Sequence, residues 1–175
     1  RPVQAGRTYT FPISGLGHSG EGAGRCEGFT VFVPHALPGE TITAEITEVR
    51  TNFARGRLLR VDTANPQRVA PPCTVYESCG GCQLQHLSYA GQLAAKQQSV
   101  RDALDRIGKL IAVPVQSVLG MEQPWRYRNK AQFPVGWQGR QVVTGCYASG
   151  SHTIIPTREC LIQQAMNDRL MAAVS

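Results

Sequence analysis

Six cysteines are present, and three of them crowd into ten residues, Cys73-Thr74-Val75-Tyr76-Glu77-Ser78-Cys79-Gly80-Gly81-Cys82, with the spacing C-x5-C-x2-C. A fourth, Cys160, follows far downstream in Arg158-Glu159-Cys160-Leu161-Ile162. Four thiolates are the donor set of an iron–sulfur cluster or of a structural zinc ion. Gly80 and Gly81 are expected to take positive φ, folding the chain back so that Cys79 and Cys82 point at one centre. Pro71 and Pro72 stiffen the approach. A fourth ligand so far away would tie two parts of the fold together when metal binds.

Disulfides are one alternative, with fifteen possible pairings of six cysteines. They suit short secreted chains, whereas this sequence shows no signal peptide and is 42% apolar, enough for a packed core. Zinc is the closer rival. Its usual pattern has two C-x2-C knuckles and only one is found here, so the spacing favours a cluster and leaves zinc open. Cys26 and Cys146 fall outside the pattern and read as small core residues.

The 175 residues can hold one domain or two small ones. No apolar run approaches the ~20 residues that span a bilayer. The sequence starts without an initiator Met, and a helical pattern at Ile162, Met166, Leu170 and Val174 stops without a C-cap. It therefore reads as a piece of a longer protein. Eighteen Lys and Arg against twelve Asp and Glu give a net charge of +6. The distribution says more than the sum. Arg50, Arg55, Arg57 and Arg60 lie in a stretch with no acid, as do Arg126, Arg128, Lys130, Arg140 and Arg158. Two acid-free basic stretches point to a polyanionic partner, most simply nucleic acid.

These residues need elements to hold them. Residues 1–63 read as short β-strands, Tyr9 to Ile13, Gly28 to Val33, Thr41 to Val49 and Ala54 to Val61, punctuated by Gly and Pro, which predicts a small barrel or sandwich. Ile42, Ala44 and Ile46 alternate with polar residues, so one face of their strand should be buried. Gly15-Leu16-Gly17-His18-Ser19-Gly20 matches G-x-G-x-x-G, but a dinucleotide site needs a helix to open there, and a loop leading to a strand is expected instead. Asn65 to Pro72 carries three prolines and reads as a linker. Ser88 then caps a long helix that Gly108 ends. Tyr127 to Val135 reads as a strand with Arg126, Arg128, Lys130 and Gln132 on one face and Tyr127, Asn129, Ala131, Phe133 and Val135 on the other. Three cations side by side on a strand invite phosphates. An exposed strand that blocks edge pairing with charge is the plainer alternative. Turns at Gln138-Gly139 and Ser149-Gly150 should make hairpins that return Cys160 to the first three cysteines.

Together, Cys73…Cys79-Gly80-Gly81-Cys82-Gln83-Leu84-Gln85-His86, the helix with Gln92, Lys96 and Val100, Trp125-Arg126-Tyr127-Arg128-Asn129-Lys130 and the late Cys160 resemble the N-terminal part of RNA uracil-5-methyltransferases. The resemblance is to the 23S ribosomal RNA branch that carries a 4Fe-4S cluster. Residues 1–63, with Gly17-His18-Ser19-Gly20-Glu21-Gly22 and Phe32-Val33-Pro34, resemble that family's TRAM domain. What the resemblance implies is an α+β chain in which an OB-like antiparallel barrel (1–63) precedes a hairpin-rich iron–sulfur domain (64–87 and 117–175). It implies a helical segment, 88–116, that packs on an α/β methyltransferase domain absent from this sequence. It implies Cys73, Cys79, Cys82 and Cys160 as cluster ligands, with 23S rRNA as partner, S-adenosylmethionine as the methyl donor of the whole enzyme, and a cytoplasmic monomer acting in rRNA processing. Arg55, Arg57, Arg126, Arg128 and Lys130 are the expected RNA contacts. The family's nucleophilic cysteine and general base have no counterpart here, so no catalytic residue is expected in this chain. A free-standing metal-stapled RNA-binding module is the competing reading. A ferredoxin-like electron carrier fits the basic stretches poorly.

Overall fold

The computed structural model describes residues 2–174. Five strands, β1 (Thr8–Leu16), β2 (Gly22–Cys26), β3 (Phe29–Val33), β4 (Thr41–Val49) and β5 (Ala54–Thr63), close a barrel in the order β1-β2-β3-β5-β4. Neighbours are antiparallel except β3 and β5, which pair in parallel through Val31 with Ala54 and Phe32 with Arg55. Register shifts between Thr41 and Ile42, Thr43 and Ala44, and Ile46 and Glu48 mark irregularities along β4 and β5, the kind of device that curves a sheet toward closure. Ile42, Ala44 and Ile46 are each 0% exposed, as their alternation predicts, and pack with Phe11, Ile13, Val31 and Val33. Burying each large aliphatic side chain in this way stabilises by roughly 1.5–3 kcal/mol.

β2 is a strand that the sequence hides, because Gly22-Ala23-Gly24 has neither β-branched nor aromatic residues. Its glycines are there for close approach. A Cβ on Gly22 would lie 2.7 Å from the Ala36 carbonyl oxygen, and one on Gly24 would lie 2.4 Å from that of Pro12. The G-x-G-x-x-G run is the β1–β2 hairpin, turning with Gly20 at φ +82°, and no helix opens there.

The chain divides into two compact units, Arg1–Ala70 with His86–Ala95, and Pro71–Gln85 with Lys96–Ser175. In the first, the segment after β5 is strapped to the barrel by a buried carboxylate. Glu40 accepts the Leu37 N–H at 2.9 Å and the Asn65 N–H at 3.1 Å. Arg68 grips both its oxygens, at 2.6 and 2.7 Å, and donates to the His35 carbonyl at 2.7 Å. Burial pushes Glu40 up, but the Arg68, Leu37 and Asn65 hydrogen bonds and the Arg68 charge outweigh it and hold the carboxyl below its ordinary range. His86 is buried with its ring stacked on His35, centroids 5.7 Å apart. Burial, then the charges of Arg68 and His35, lower its pKa to about 4 against a smaller opposing effect of Glu40.

α1 (Tyr89–Asp102) starts where the sequence puts it, with the Ser88 hydroxyl accepting the Gly91 N–H at 3.1 Å. It widens into one π turn over Ala103–Ile107, which the Gly108 N–H closes on Ala103. The second unit holds a three-stranded antiparallel sheet in the order β6-β7-β8, from β6 (Val135–Gln138), β7 (Gln141–Tyr147) and β8 (Ile154–Pro156), and the helix α2 (Ala165–Val174). Gly139 and Gly150 sit at the two hairpin turns with φ of +63° and +68°.

The strand expected over Tyr127 to Val135 does not form. Only Arg128 makes a bridge, parallel to Gln163, and regular pairing begins at Val135. Arg126 has φ +58°, which breaks the extended run at its start, and Pro134 has no N–H to give. The one-face array of cations is therefore not a feature of this fold.

Candidate metal centre

The cysteine loop is built from tight turns around a buried Tyr76, with the Cys79 N–H donating to the Val75 carbonyl at 2.8 Å. It is pinned to the β7–β8 hairpin by a bridge between Cys79 and Ala148 and by the Gly80 N–H on the Tyr147 carbonyl at 2.9 Å. Neither Gly80 nor Gly81 has positive φ, contrary to expectation. Gly80 is needed for space, since a Cβ there would lie 2.9 Å from that same carbonyl oxygen and 3.0 Å from the Ser149 nitrogen.

Cys73, Cys79, Cys82 and Cys160 line one pocket, together with Cys146. All five are half-buried free thiols. Reading Cys146 as an ordinary core residue fails. Its thiol hydrogen-bonds with Cys79, and a Cβ on Gly81 would lie 3.4 Å from the Cys79 sulfur and 3.9 Å from that of Cys146. Only the docking of the hairpin on the loop brings Cys146 there, and no local spacing announces it. Cys26, by contrast, is 4% exposed in the barrel core.

The hydrogen bond from Cys146 draws the Cys79 thiol down to about 6 against the effect of burial, with help from the Gly81 N–H. Cys146 is raised by that same bond, by burial and by the neighbouring sulfurs. Cys82 and Cys160 are raised first by burial; charge on Cys160, Cys79 and Cys73 pushes Cys82 further up, and charge on Asp168 and then Cys73 does so for Cys160 against the lowering effect of the Ile162 and Gln163 N–H groups. Burial and repulsion between neighbouring groups thus oppose several negative charges in this pocket, an opposition that a bound cation would relieve. Cysteine sulfurs are donors of the type that iron and zinc take. Among the described residues, no three Cys, His, Asp or Glu side chains are placed to hold a single metal ion.

The Cys160 segment is held by two residues that sequence reasoning misjudged or missed. The Arg126 guanidinium donates to the Cys160 and Gln163 carbonyls at 3.3 and 3.2 Å and pairs with Asp168 and Glu159. Asp168 in turn accepts the Cys160 N–H at 2.9 Å. The Asp168 hydrogen bond and charge, with those of Glu159, raise the Arg126 pKa further. Nothing in the local sequence links Arg126 to an acid forty-two residues on. Arg128 donates its N–H to Ile162 at 2.9 Å, and the residue itself is exposed and lines the cysteine pocket. Lys130 is exposed.

On the barrel, the acid-free run proves to be charge-mixed in space. Arg57 pairs with Glu45 at 2.5 Å, Arg50 and Arg55 share Glu48 at 2.5 and 3.9 Å, and Arg60 pairs with Asp62 at 2.6 Å. Glu45 and Glu48 come from β4, one strand over from Arg55 and Arg57, where a linear count of charge does not reach, whereas Asp62 lies on β5 itself two residues past Arg60. Arg55 also lies over the Phe53 ring at 5.8 Å from its centroid. All of these arginines remain exposed.

Residues 2–59 match the TRAM domain, which places that family on the closed barrel. Over 99% of its length the chain is 45% identical to an uncharacterised RNA methyltransferase of Halalkalibacterium halodurans and 47% identical to one of Bacillus cereus. It is 48% identical over 97% of its length to another from Clostridium tetani. The chain spans 38% of the first two relatives and 37% of the third. Among solved structures, the tRNA (uracil-54, C5)-methyltransferase of Pyrococcus abyssi, in complex with S-adenosyl-L-homocysteine, superposes with a TM-score of 0.60 at 20% identity. That likeness covers 93% of this chain and 35% of that one, and is one of fold. Among the described residues, no helix is long and apolar enough to cross a membrane.

Proposed function

We propose that this chain is the RNA-recognition portion of an S-adenosylmethionine-dependent RNA uracil-5-methyltransferase, acting on 23S rRNA, with a 4Fe-4S cluster on Cys73, Cys79, Cys82 and Cys160. The observation that carries this reading is the meeting of those four cysteines in one pocket, in a chain whose barrel matches TRAM. The names of its relatives and the uracil-C5 activity of its structural neighbour support the methyltransferase class. The sequence motifs support the ribosomal branch.

When bound, the cluster would supply structural iron–thiolate bonds joining the Cys73–Cys82 loop to the Cys160 segment. Arg126 and Asp168 hold that segment in position. Arg128, exposed beside the pocket, would take an RNA phosphate together with Lys130, while Arg55 and Arg57 would exchange their carboxylate partners for phosphates on the barrel. A target uridine inside folded RNA must be flipped out, and such backbone clamps hold the flanking strand. The whole enzyme would act as a cytoplasmic monomer in rRNA processing. Methyl transfer and its nucleophile belong to its other part. Segment 88–116 would pack on that catalytic domain, which accounts for the exposure of Val100, Ile107, Leu110 and Ile111.

Anaerobic purification followed by a visible spectrum and iron and sulfide counts tests the centre. A broad thiolate–iron band with about four irons per chain is expected. Zinc without iron would favour the second reading, a metal-stapled RNA-binding module. Binding to 23S rRNA fragments against tRNA, at several salt concentrations, then tests the partner.

A further inference from the structure

The cysteine pocket holds one thiol more than a four-ligand cluster uses. Cys146 is half-buried and free, stands on β7 opposite Ile155, and touches the Cys79 sulfur. The Cys79–Ala148 bridge and the Gly80 N–H bond to Tyr147 fix the two backbones beside each other, so the contact is built into the hairpin's docking. Cys73, Cys82 and Cys160 line the same pocket, but among the described contacts the thiol–thiol hydrogen bond is that of Cys79 with Cys146.

We propose that Cys79 and Cys146 are an oxidisable pair, which closes a disulfide in the cluster-free chain and thereby withdraws one of the four thiolates from iron. The second half of this proposal rests on the cluster reading above; the first half does not. The oxidant is a small disulfide such as oxidised glutathione. The Cys79 thiolate attacks one of its sulfurs, the S–S bond breaks, and one glutathione thiolate leaves. Cys146, giving its proton to solvent, then attacks the Cys79 sulfur of the mixed disulfide and expels the second glutathione. The two cysteines lose two electrons and two protons, which end on two glutathione thiols. With Cys79 bonded to Cys146, three thiolates remain for a site that needs four. A thiol reductant reverses both steps.

The test uses the full chain, reduced and freed of iron, treated with oxidised glutathione, quenched by alkylation and digested with trypsin. Cleavage gives one peptide with Cys73, Cys79 and Cys82 (residues 69–96) and another with Cys146 alone (residues 141–158). The expected product is these two peptides linked, with fragmentation placing the bond on Cys79. Cys146→Ser should abolish the link and Cys26→Ser should leave it intact. A dominant bond to Cys160, a bond within residues 69–96, or a random mixture of pairings overturns the pair. Ferrous iron and sulfide are then offered to oxidised and reduced chains. The oxidised wild type should lose its iron uptake and regain it with a thiol, while Cys146→Ser should keep uptake after the same treatment. Equal uptake by oxidised and reduced wild type overturns the gate. A reduced chain that takes no iron overturns the cluster reading and the gating half with it, while the mapped bond still decides the pair.

Discussion

The two units of this chain are held together by different physics. The barrel closes on itself and buries an alternating apolar set almost completely, with Val31, Val33, Ile42, Ala44 and Ile46 all at 0% exposure. The cysteine unit has a short three-stranded sheet and few buried apolar side chains, chiefly Tyr76, Ile162 and Met171. Its order comes from isolated bridges, the Arg126–Asp168 clamp and a pocket of thiols. The first unit rests on apolar burial reinforced by the Glu40–Arg68 pair, whereas the second buries less apolar surface and depends more on polar contacts between distant segments.

The largest effect should fall on the cysteine unit. Replacing Cys160 by Ser removes the one proposed ligand outside the Cys73–Cys82 loop, and structural metal sites contribute on the order of 10 kcal/mol where they form. Iron content should drop to background, and residues 71–85 and 96–174 should lose amide protection in hydrogen exchange. Protection in β1–β5 should persist. Equal loss in both units would show that their stabilities are not separate.

Within the barrel, the counterpart is Glu40→Ala. It leaves Arg68 without its buried carboxylate and strands the Leu37 and Asn65 N–H groups, a loss of roughly 3–5 kcal/mol. Urea unfolding followed at the barrel should show it. The cluster spectrum should stay.

A weaker effect separates the units by pH. An unfolded histidine titrates at ~6.5, whereas His86 in the fold is held down to about 4. Between these values the unfolded chain binds the proton and the folded one does not. Stability must therefore fall as pH drops through this window, by about 3 kcal/mol at most. Glu40 adds to the same direction lower down. Its folded pKa is depressed, so its contribution is complete above the unfolded carboxylate value of ~4.3 and fades as pH falls through the folded value. Unfolding of the barrel at pH 7 and 4.5 checks this, and His86→Gln should flatten the upper part of the slope.

How much of this was legible beforehand follows the same division. Alternation in Thr41–Val49 announced its buried face, and the Ser88 cap and the Gly139 and Gly150 turns carried local signals that the backbone obeys. What stayed hidden was set by contacts between distant segments. Gly22 and Gly24 read as loop residues until Ala36 and Pro12 press against them. Cys146 reads as core until the hairpin docks. The arginines of β5 look unopposed until β4 supplies Glu45 and Glu48. Arg126 looks like a phosphate ligand until Asp168 and Glu159 close on it.

That last difference yields the finest test. Arg57 is an exposed cation with one half-buried partner, Glu45, so Arg57→Ala should change stability by no more than ~1 kcal/mol. If its phosphate contact is real, the same change lowers the salt slope of RNA binding by about one, and does so for every sequence alike. Arg128→Ala should behave the same way. Arg126→Ala should not. Its guanidinium fixes the Cys160 segment through two carbonyls and two carboxylates, so its removal should lower iron retention and unit stability before any salt slope is read. If Arg126→Ala keeps its iron and loses only one unit of salt slope, the clamp is dispensable and Arg126 belongs with the phosphate contacts after all.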